Sequence, residues 1–351
     1  MHIREAKPAD NESLLRLTAL TPMKGIIELR IERQPDFFAL LRERGPFFML
    51  VAENNGEIVG SIAVSTHQTL LVGRPSLVHY ISDFKVHPDH QRTRLAFRLI
   101  KGLNEHLISV DADLLLCTTV LGNDPVEAFF DGRLGMPPFV EMATFRVFQF
   151  LPRPVKPAKN NLPVMPVADE ELEQLADFYN ACANNYTLAP FSKPDELAGK
   201  INLATKKNGQ YTAALTLADY SWFKQNIIVN LPLSLNLLCR TSQLSSALLP
   251  AFRLPQKGEP IRLINMKRLA VLPGCLDGLN RLIAHARYLL YRDRFIFLTL
   301  ALHPADKLQS IRQGLPGFSF YSKLWASSLK GNENLLKELK AGVIFEDYSL
   351  V

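Results

Sequence analysis

Cysteine is scarce in this chain of 351 residues. The four present, Cys117, Cys182, Cys239 and Cys275, are far apart and form no C-x-x-C pair, so neither a disulfide framework nor a thiolate zinc site is indicated. A reducing cytoplasm is the expected setting. Uncharged apolar runs long enough to span a bilayer are missing, so no membrane partner is expected. The opening MHIREAKPADNE is charged and has no apolar centre, so no secretory leader is expected. A basic run is also missing: Lys and Arg number 40 against 34 Asp and Glu, a net +6 spread along the chain. That diffuse excess suits a small anionic ligand such as a nucleotide and gives no footprint for nucleic acid. The chain has no G-x-S-x-G, G-x-G-x-x-G, Walker loop or H-E-x-x-H, which removes the common hydrolase, dinucleotide, NTPase and zinc-protease readings. His87 and His90 find no third ligand, so no metal is expected.

What is present is a globular composition, 47% hydrophobic and 21% charged, at a length that favours two domains. The most informative stretch is YISDFKVHPDHQRTRLAFRLIKGLNE, from Tyr80 to Glu105. Tyr80, Ile81, Phe84 and Val86 make a strand-like run that ends at His87-Pro88. From about Arg92 the period changes, and Leu95, Ala96, Leu99, Leu103 and Leu107 form one apolar helical face. Strand, polar loop and helix N-terminus in that order read either as an ordinary βα unit or as an anion site, the latter because the first helical amides lack partners and carry the positive end of the dipole. Arg92, Arg94 and Arg98 add charge there.

Val86, Pro88, Gln91, Arg94 and Ala96 fall in register with Val-x-Pro followed by (Q/R)-x-x-G-x-(G/A), and the segment resembles the core motif of the GCN5-related N-acetyltransferases. Asp83-Phe84-Lys85-Val86 is similar to the D-L-x-V strand of several small-amine members. The resemblance implies acetyl-CoA or another acyl-CoA as co-substrate, with Phe84, Lys85 and Val86 along its arm and Gln91, Arg92, Thr93, Arg94, Leu95, Ala96 and Phe97 at its pyrophosphate. Arg94 stands where the motif has glycine. It either weakens binding or replaces a backbone contact with a guanidinium one. LGNDPVEAFFDGRLGMPPF resembles the family's N-x-x-(A)-x-x-F-Y-x-x-x-G-F element, with Asn123, Ala128, Phe129 and Gly135 as counterparts and one extra residue before Gly135. Phe130 occupies the place of the tyrosine that protonates the departing thiolate, and it has no proton to give. A thiol with a pKa of ~8.5–9 still leaves tolerably as thiolate.

Along the chain, Ile3 to Ala6 reads as a strand and Asp10 as the N-cap of a helix carrying Leu14, Leu15, Leu17 and Leu20. The stretch from Thr21 to Gly45 reads as helical, with Phe37, Phe38, Leu40 and Leu41 on its apolar side. Phe47 to Ala52 and Ile58 to Thr66 flank Asn54-Asn55-Gly56 as a hairpin, and Leu114 to Val120 is a buried strand. The resemblance implies that this strand splays from the Tyr80 strand to admit the pantetheine arm. Five prolines between Leu151 and Pro166 mark a stiff linker and a boundary.

Beyond that boundary the opening pattern is repeated: Ala168-Asp169 and a helix with Leu172, Leu175, Ala176, Tyr179 and Cys182, then a hairpin of Tyr211 to Ala218 and Asn226 to Leu231. A strand from Ile261 to Val271 ends in Val271-x-Pro273, and a helix from Leu276 to Leu290 and a strand from Phe295 to Ala301 come after it. Ser319 to Ala326 and Val343 to Tyr348 are expected to complete the second sheet. The fold class is therefore α/β (α+β): two tandem acetyltransferase-like domains, each a mixed, mostly antiparallel sheet flanked by helices. Residues 1–150 form the acyl-CoA-binding half, 151–166 the linker, and 167–351 a degenerate half whose GCLDGLNRL is too short for a full phosphate loop.

The expected activity is transfer of an acetyl or other short acyl group to an amine, on a small molecule or a peptide, by direct attack in a ternary complex. Asp83 is the candidate base, against the plain alternative of a strand carboxylate satisfied by backbone or by a nearby arginine; Ser82, Glu53, His79 and Tyr80 are fallbacks. Arg94 and Phe130 keep open a non-catalytic acyl-CoA-binding module, and transfer from aminoacyl-tRNA is a weaker third reading. The aromatic cluster of Tyr220, Trp222 and Phe223 reads as packing at a turn, or as a lid. Acceptor identity and oligomeric state have no signature in the sequence.

Overall fold

The computed structural model describes all residues except 21–27, 92, 123–129, 133–136, 159–161, 234–236, 238, 240 and 243–253. The chain opens with β1 (His2–Glu5), α1 (Asn11–Ala19), β2 (Glu28–Glu32) and α2 (Ala39–Arg44). Asp10 precedes α1 but does not cap it: its carboxylate takes Arg4 at 2.7 Å and the Lys7 N–H at 2.7 Å. The antiparallel hairpin of β3 (Phe47–Asn54) and β4 (Glu57–Leu71) turns at Asn55-Gly56, with φ of 51° and 83°. Positive φ at both positions matches the turn to the right-handed twist of the strands. The antiparallel β5 (Arg74–Val86) comes next, then α3 (Leu95–Ser109) and the parallel β6 (Leu114–Val120). As the period predicts, Leu95, Leu99, Leu103 and Leu107 are buried, facing Ile62, Val64 and Ile81 of the sheet. Gly60 lets α3 sit this close: a Cβ there would meet Leu99 Cδ1 at 3.0 Å and the Lys85 carbonyl at 3.3 Å.

The second half begins after β7 (Val140–Phe150) and repeats the pattern: β8 (Met165–Pro166), α4 (Leu172–Ala183), β9 (Leu188–Pro190), α5 (Pro194–Leu197), β10 (Ile201–Lys207), β11 (Gln210–Ala218) and β12 (Gln225–Asn230). β13 (Leu263–Val271), α6 (Leu276–Arg292), β14 (Phe297–Leu302), β15 (Gly317–Ser328) and α7 (Glu333–Ala341) complete it. The linker is anchored: Leu151 N–H donates to the Pro316 carbonyl at 3.1 Å and Arg287 to the Leu151 carbonyl at 2.7 Å.

The halves share one sheet of thirteen strands, in the order β1-β3-β4-β5-β6-β15-β7-β14-β13-β11-β10-β8, with β9 on β4. Read from either end, it runs through antiparallel strands to a parallel pair, β5–β6 or β13–β14, and then meets a strand from the opposite half. β15 therefore lies between β6 and β7 of the leading half, and does not complete a second sheet as its alternation suggested. A period of two identifies the faces of a strand and leaves its neighbours unspecified. Two further expectations are corrected. Part of the stretch from Thr21 to Gly45 is β2, and β12 pairs with β2, Gln225 opposite Glu32, instead of forming a hairpin with β11. β11 lies between β10 and β13. The β2–β12 ribbon joins residues from both halves, a pairing no local pattern encodes.

Buried charge ties the C-terminal segment to this frame. Asp347 accepts from Arg268 at 2.6 Å and lies 3.2 Å from Lys267 Nζ, while Ser349 donates to its other oxygen. α2 reaches both halves: Glu43 takes the Tyr220 hydroxyl at 2.6 Å and Lys200 at 3.1 Å, and Arg44 donates to Ser82 at 2.7 Å and to the Leu350 carbonyl at 2.5 Å. Burial opposes the charged form of Asp347, but Lys267, Arg268 and the Ser349 hydroxyl outweigh it and hold its pKa at about 2.

This arrangement has two testable outcomes. Residues 1–166 expressed alone leave β6 and β7 without their central neighbours, so the fragment should self-associate and melt without cooperativity; a monodisperse, cooperatively folding fragment by size-exclusion chromatography and circular dichroism would refute the shared sheet. Asp347→Asn strands two buried cations and should cost about 3–5 kcal/mol in urea unfolding. Because the folded pKa lies below the unfolded ~3.9, the stabilisation from Asp347 is complete above about pH 4 and lost as pH falls through about 2; the variant should lack that acid-dependent part.

Candidate active site

The end of β5 and the start of α3 form an open corner. Past Val86, the His87 N–H donates to the Val59 carbonyl at 2.9 Å and so continues the β4–β5 ladder. Pro88 to His90 make one tight turn, and Thr93 closes it: its hydroxyl donates to the His90 carbonyl at 2.7 Å and accepts from the Leu95 N–H at 3.2 Å. One amide of the helix start is thus satisfied by Thr93, and the Arg94 side chain makes no cap. Gln91, Thr93, Arg94 and Phe97 are exposed, Ala96 is half-buried and Leu95 is packed inside. Arg92 lies outside the described residues. The matching corner of the second half is tighter: a Cβ on Gly278 would meet Thr205 Oγ1 at 2.7 Å and Leu162 Cδ2 at 3.4 Å, and Arg281 donates to the Ala158 carbonyl of the linker.

Beyond the corner, β5 and β6 separate. Their parallel register covers His79 with Leu115 and Tyr80 with Leu116 and ends there, while β5 continues on β4 to Val86 and β6 continues on β15 to Val120. A cleft therefore opens between Ser82–Val86 and Thr118–Val120. Phe84, Val86, Cys117 and Trp325 pack against the α3 side. Tyr80 and Leu116 face the other, with Leu188 and Ile344 in the same cluster.

Asp83 sits at a bulge in β5, where Ser61 opposes Lys85 but Ala63 opposes Ser82, and its φ is 51°. The extra residue swings its carboxylate towards the cations: Arg33 Nη2 is 2.8 Å away and Arg44 Nη1 3.8 Å, and the Ser82 hydroxyl donates at 3.1 Å. Burial opposes its charge, yet Arg33, Arg44 and Lys85 keep its pKa below the ordinary carboxylate value. A carboxylate so held is a weak proton acceptor, and of the two sequence readings the geometry displays the ion pair. Burial likewise lowers Lys85, against the attraction of Asp83. Lys224, which donates to the Val351 backbone oxygen, is brought down to about 7 by burial and then by Arg33 and Arg44. Two nitrogens of Arg33, Nε and Nη1, are buried with no hydrogen-bond partner.

Phe130 is buried, its ring 5.0 Å from Phe139 and 4.9 Å from Trp325, in the core beneath α3. The position of the expected proton donor is thus a packing position. Asn123, Ala128, Phe129 and Gly135 lie outside the described residues. Of the aromatic cluster, Tyr220 and Phe223 pack on Ala39 and Leu40 of α2, and Trp222 is exposed. Among the described residues no group of His, Cys, Asp or Glu is set to hold a metal, and no helix is long and apolar enough to cross a membrane.

Several groups at the cleft were missed by sequence reasoning. Arg33 and Arg44, Lys224, and Glu346 come from three distant segments, and none belongs to a recognisable local pattern. Glu346 takes the Thr118 hydroxyl on Oε1 at 2.5 Å, beside the point where β6 leaves β5, and its Oε2 is buried without a partner. Only Asp83 had a motif to signal it.

No curated protein matches the sequence. The family model for the acetyltransferase (GNAT) family matches residues 15–136. Solved structures agree over nearly the whole chain. Saccharomyces cerevisiae N-myristoyltransferase with bound myristoyl-CoA superposes with a TM-score of 0.63 at 12% identity, covering 93% of this chain and 82% of that one. A tandem GNAT protein from the clavulanic acid biosynthesis pathway gives 0.57 at 13% identity, covering 93% and 98%. A GCN5-related N-acetyltransferase from Kribbella flavida gives 0.52 at 10%, covering 93% and 70%. At these identities the likeness is one of fold, and it extends to the doubled architecture. Residues 15–136 are thus similar to the GNAT acetyltransferase family, and the chain as a whole has a fold of the tandem GNAT kind.

Proposed function

We propose that the protein is an N-acyltransferase that moves an acetyl or other short acyl group from acyl-CoA to an amine on a small molecule or peptide. The observation that carries this reading is the parting of β5 and β6 just past Tyr80 and Leu116, directly below the open α3 corner. In this reading the pyrophosphate lies at Gln91 to Phe97, aided by Arg94 and by the helix N-terminus. The pantetheine arm runs along Phe84, Lys85 and Val86 into the cleft, and backbone N–H groups of that stretch polarise the thioester carbonyl. The amine attacks directly within a ternary complex, and positioning supplies much of the rate. With phenylalanine at position 130, the thiolate departs without a tyrosine proton. Residues 1–150 bind the acyl-CoA, 151–166 link, and 167–351 close the acceptor side and supply β15. Myristoyl-CoA bound to the yeast N-myristoyltransferase supports acyl-CoA as the donor class.

A non-catalytic acyl-CoA-binding module is the second reading, favoured by Arg94 and Phe130 at motif positions. Calorimetry with acetyl-CoA and a thiol-release assay with polyamines, amino-acid esters and glycine-led peptides separate them. The enzyme binds acetyl-CoA and releases thiol only with an acceptor; binding without release supports the module, and no binding refutes both. Arg94→Glu should weaken acetyl-CoA by about tenfold or more, because it places a negative charge beside the pyrophosphate at the helix start.

A further inference from the structure

The cleft between β5 and β6 contains a carboxylate used neither by the motif nor by the proposed function. Glu346 lies on the C-terminal segment after α7, and the Phe345 N–H donates to the Leu188 carbonyl at 2.9 Å to fix that segment in place. Its Oε1 accepts from Thr118, two residues past the last β5–β6 pair, so the carboxylate sits where the strands begin to part. Its Oε2 is buried and has no hydrogen-bond partner. A buried carboxylate oxygen without a donor is costly, and such an atom calls for an explanation such as a group that arrives later. Asp83, by contrast, has Arg33, Arg44 and Ser82 on its two oxygens.

We propose that Glu346 is the general base of the acyl transfer, taking a proton from the acceptor ammonium through its unpartnered oxygen. This rests on the proposed acyltransferase function. The ammonium gives one proton to the Glu346 carboxylate, and the neutral amine forms the C–N bond at the thioester carbonyl. The C–S bond breaks, the thiolate takes the second proton lost by nitrogen, and the carboxyl returns its proton to solvent. The charged and titratable groups around Glu346 suit this work. Burial pushes its pKa up to about 7, Thr118 and Arg44 pull against burial, and Asp347 adds to it. Tyr80 of β5, Cys117 of β6 and Tyr348 of its own segment are all raised, chiefly by burial and further by the charge of Glu346, so none competes as a proton acceptor near neutrality. A base titrating near the working pH is the most effective kind.

The test uses the full chain with acetyl-CoA and the best acceptor among the polyamines, esters and peptides. Glu346→Gln should leave acetyl-CoA affinity within about twofold and lower kcat by about 10²–10⁴-fold. In the wild type, activity should rise with pH through about 7 as the carboxylate forms; Glu346→Gln should lack that limb. Thr118→Val removes a hydrogen bond to the charged form, so its limb should move to higher pH. Infrared difference spectra between acid and alkaline solutions give a readout free of any acceptor: the wild type shows a carboxyl titrating near 7 that Glu346→Gln lacks. Wild-type rates and an unchanged limb in Glu346→Gln, or the absence of that carboxyl signal, overturn the proposal alone. Failure of the wild type to bind acetyl-CoA overturns the proposed function with it.

Discussion

The structure depends on an exchange of strands at its centre. β15 of the second half is bonded on one side to β6 and on the other to β7, and β7 in turn pairs with β14. Each half therefore leaves a gap in its own sheet that only the other half fills. Because an unpaired strand edge in the middle of a sheet is costly to bury and prone to mispairing, the exchange makes the halves one cooperative body. It also fixes the cleft. β6 stays on β15 along its length, while on its other edge only Tyr80 and the residue before it pair with it, and β5 and β6 part beyond that point.

Charge completes what the exchange begins. α2 is short, yet its last residues send Glu43 towards Lys200 and Tyr220 of the second half and Arg44 towards Ser82 of the first. Asp347 draws the C-terminal segment onto Lys267 and Arg268, and the residue before it, Glu346, is thereby delivered to the cleft. If Val86-x-Pro88 is aligned with Val271-x-Pro273, the bulge residue Asp83 falls opposite Arg268. Their side chains are both buried and opposite in charge, but Asp83 lies inside the β4–β5 register shift, whereas Arg268 is paired with Thr216 and only flanks the β11–β13 shift, where Lys267 is the residue left over. The two halves therefore differ in chemistry at matched strands: the first carries the parting of β5 from β6, and the second the buried cation that fastens the tail.

Local patterns were legible where the neighbour of a residue in sequence was also its neighbour in space. The Asn55-Gly56 turn, the apolar face of α3, the Val86–Pro88 break and the run from Leu114 to Val120 all depend on contacts within a few residues or on burial alone. β2 has no such local signal, because its company is β12, from the other half of the chain. The alternation of β15 marks it as a strand but not as the neighbour of β6 and β7, since alternation encodes faces and says nothing of edges. Within the site, Asp83 carried a motif signal, but whether it served as base or ion-pair partner turned on Arg33 and Arg44, which no spacing links to it.

The sequence by itself determined that the chain is a doubled unit of strand, helix and strand, with a polar turn between the Val-x-Pro break and the helix. Periodicity, proline breaks and the Val-x-Pro motif are local, and they act wherever the rest of the chain goes. Only the tertiary structure decided that the halves share a sheet, that Asp83 is clamped by two guanidiniums, that position 130 is core, and that Glu346 stands at the cleft with an oxygen unpartnered. Those outcomes depend on desolvation and on charges brought together from distant segments, and burial is a property of the assembled body.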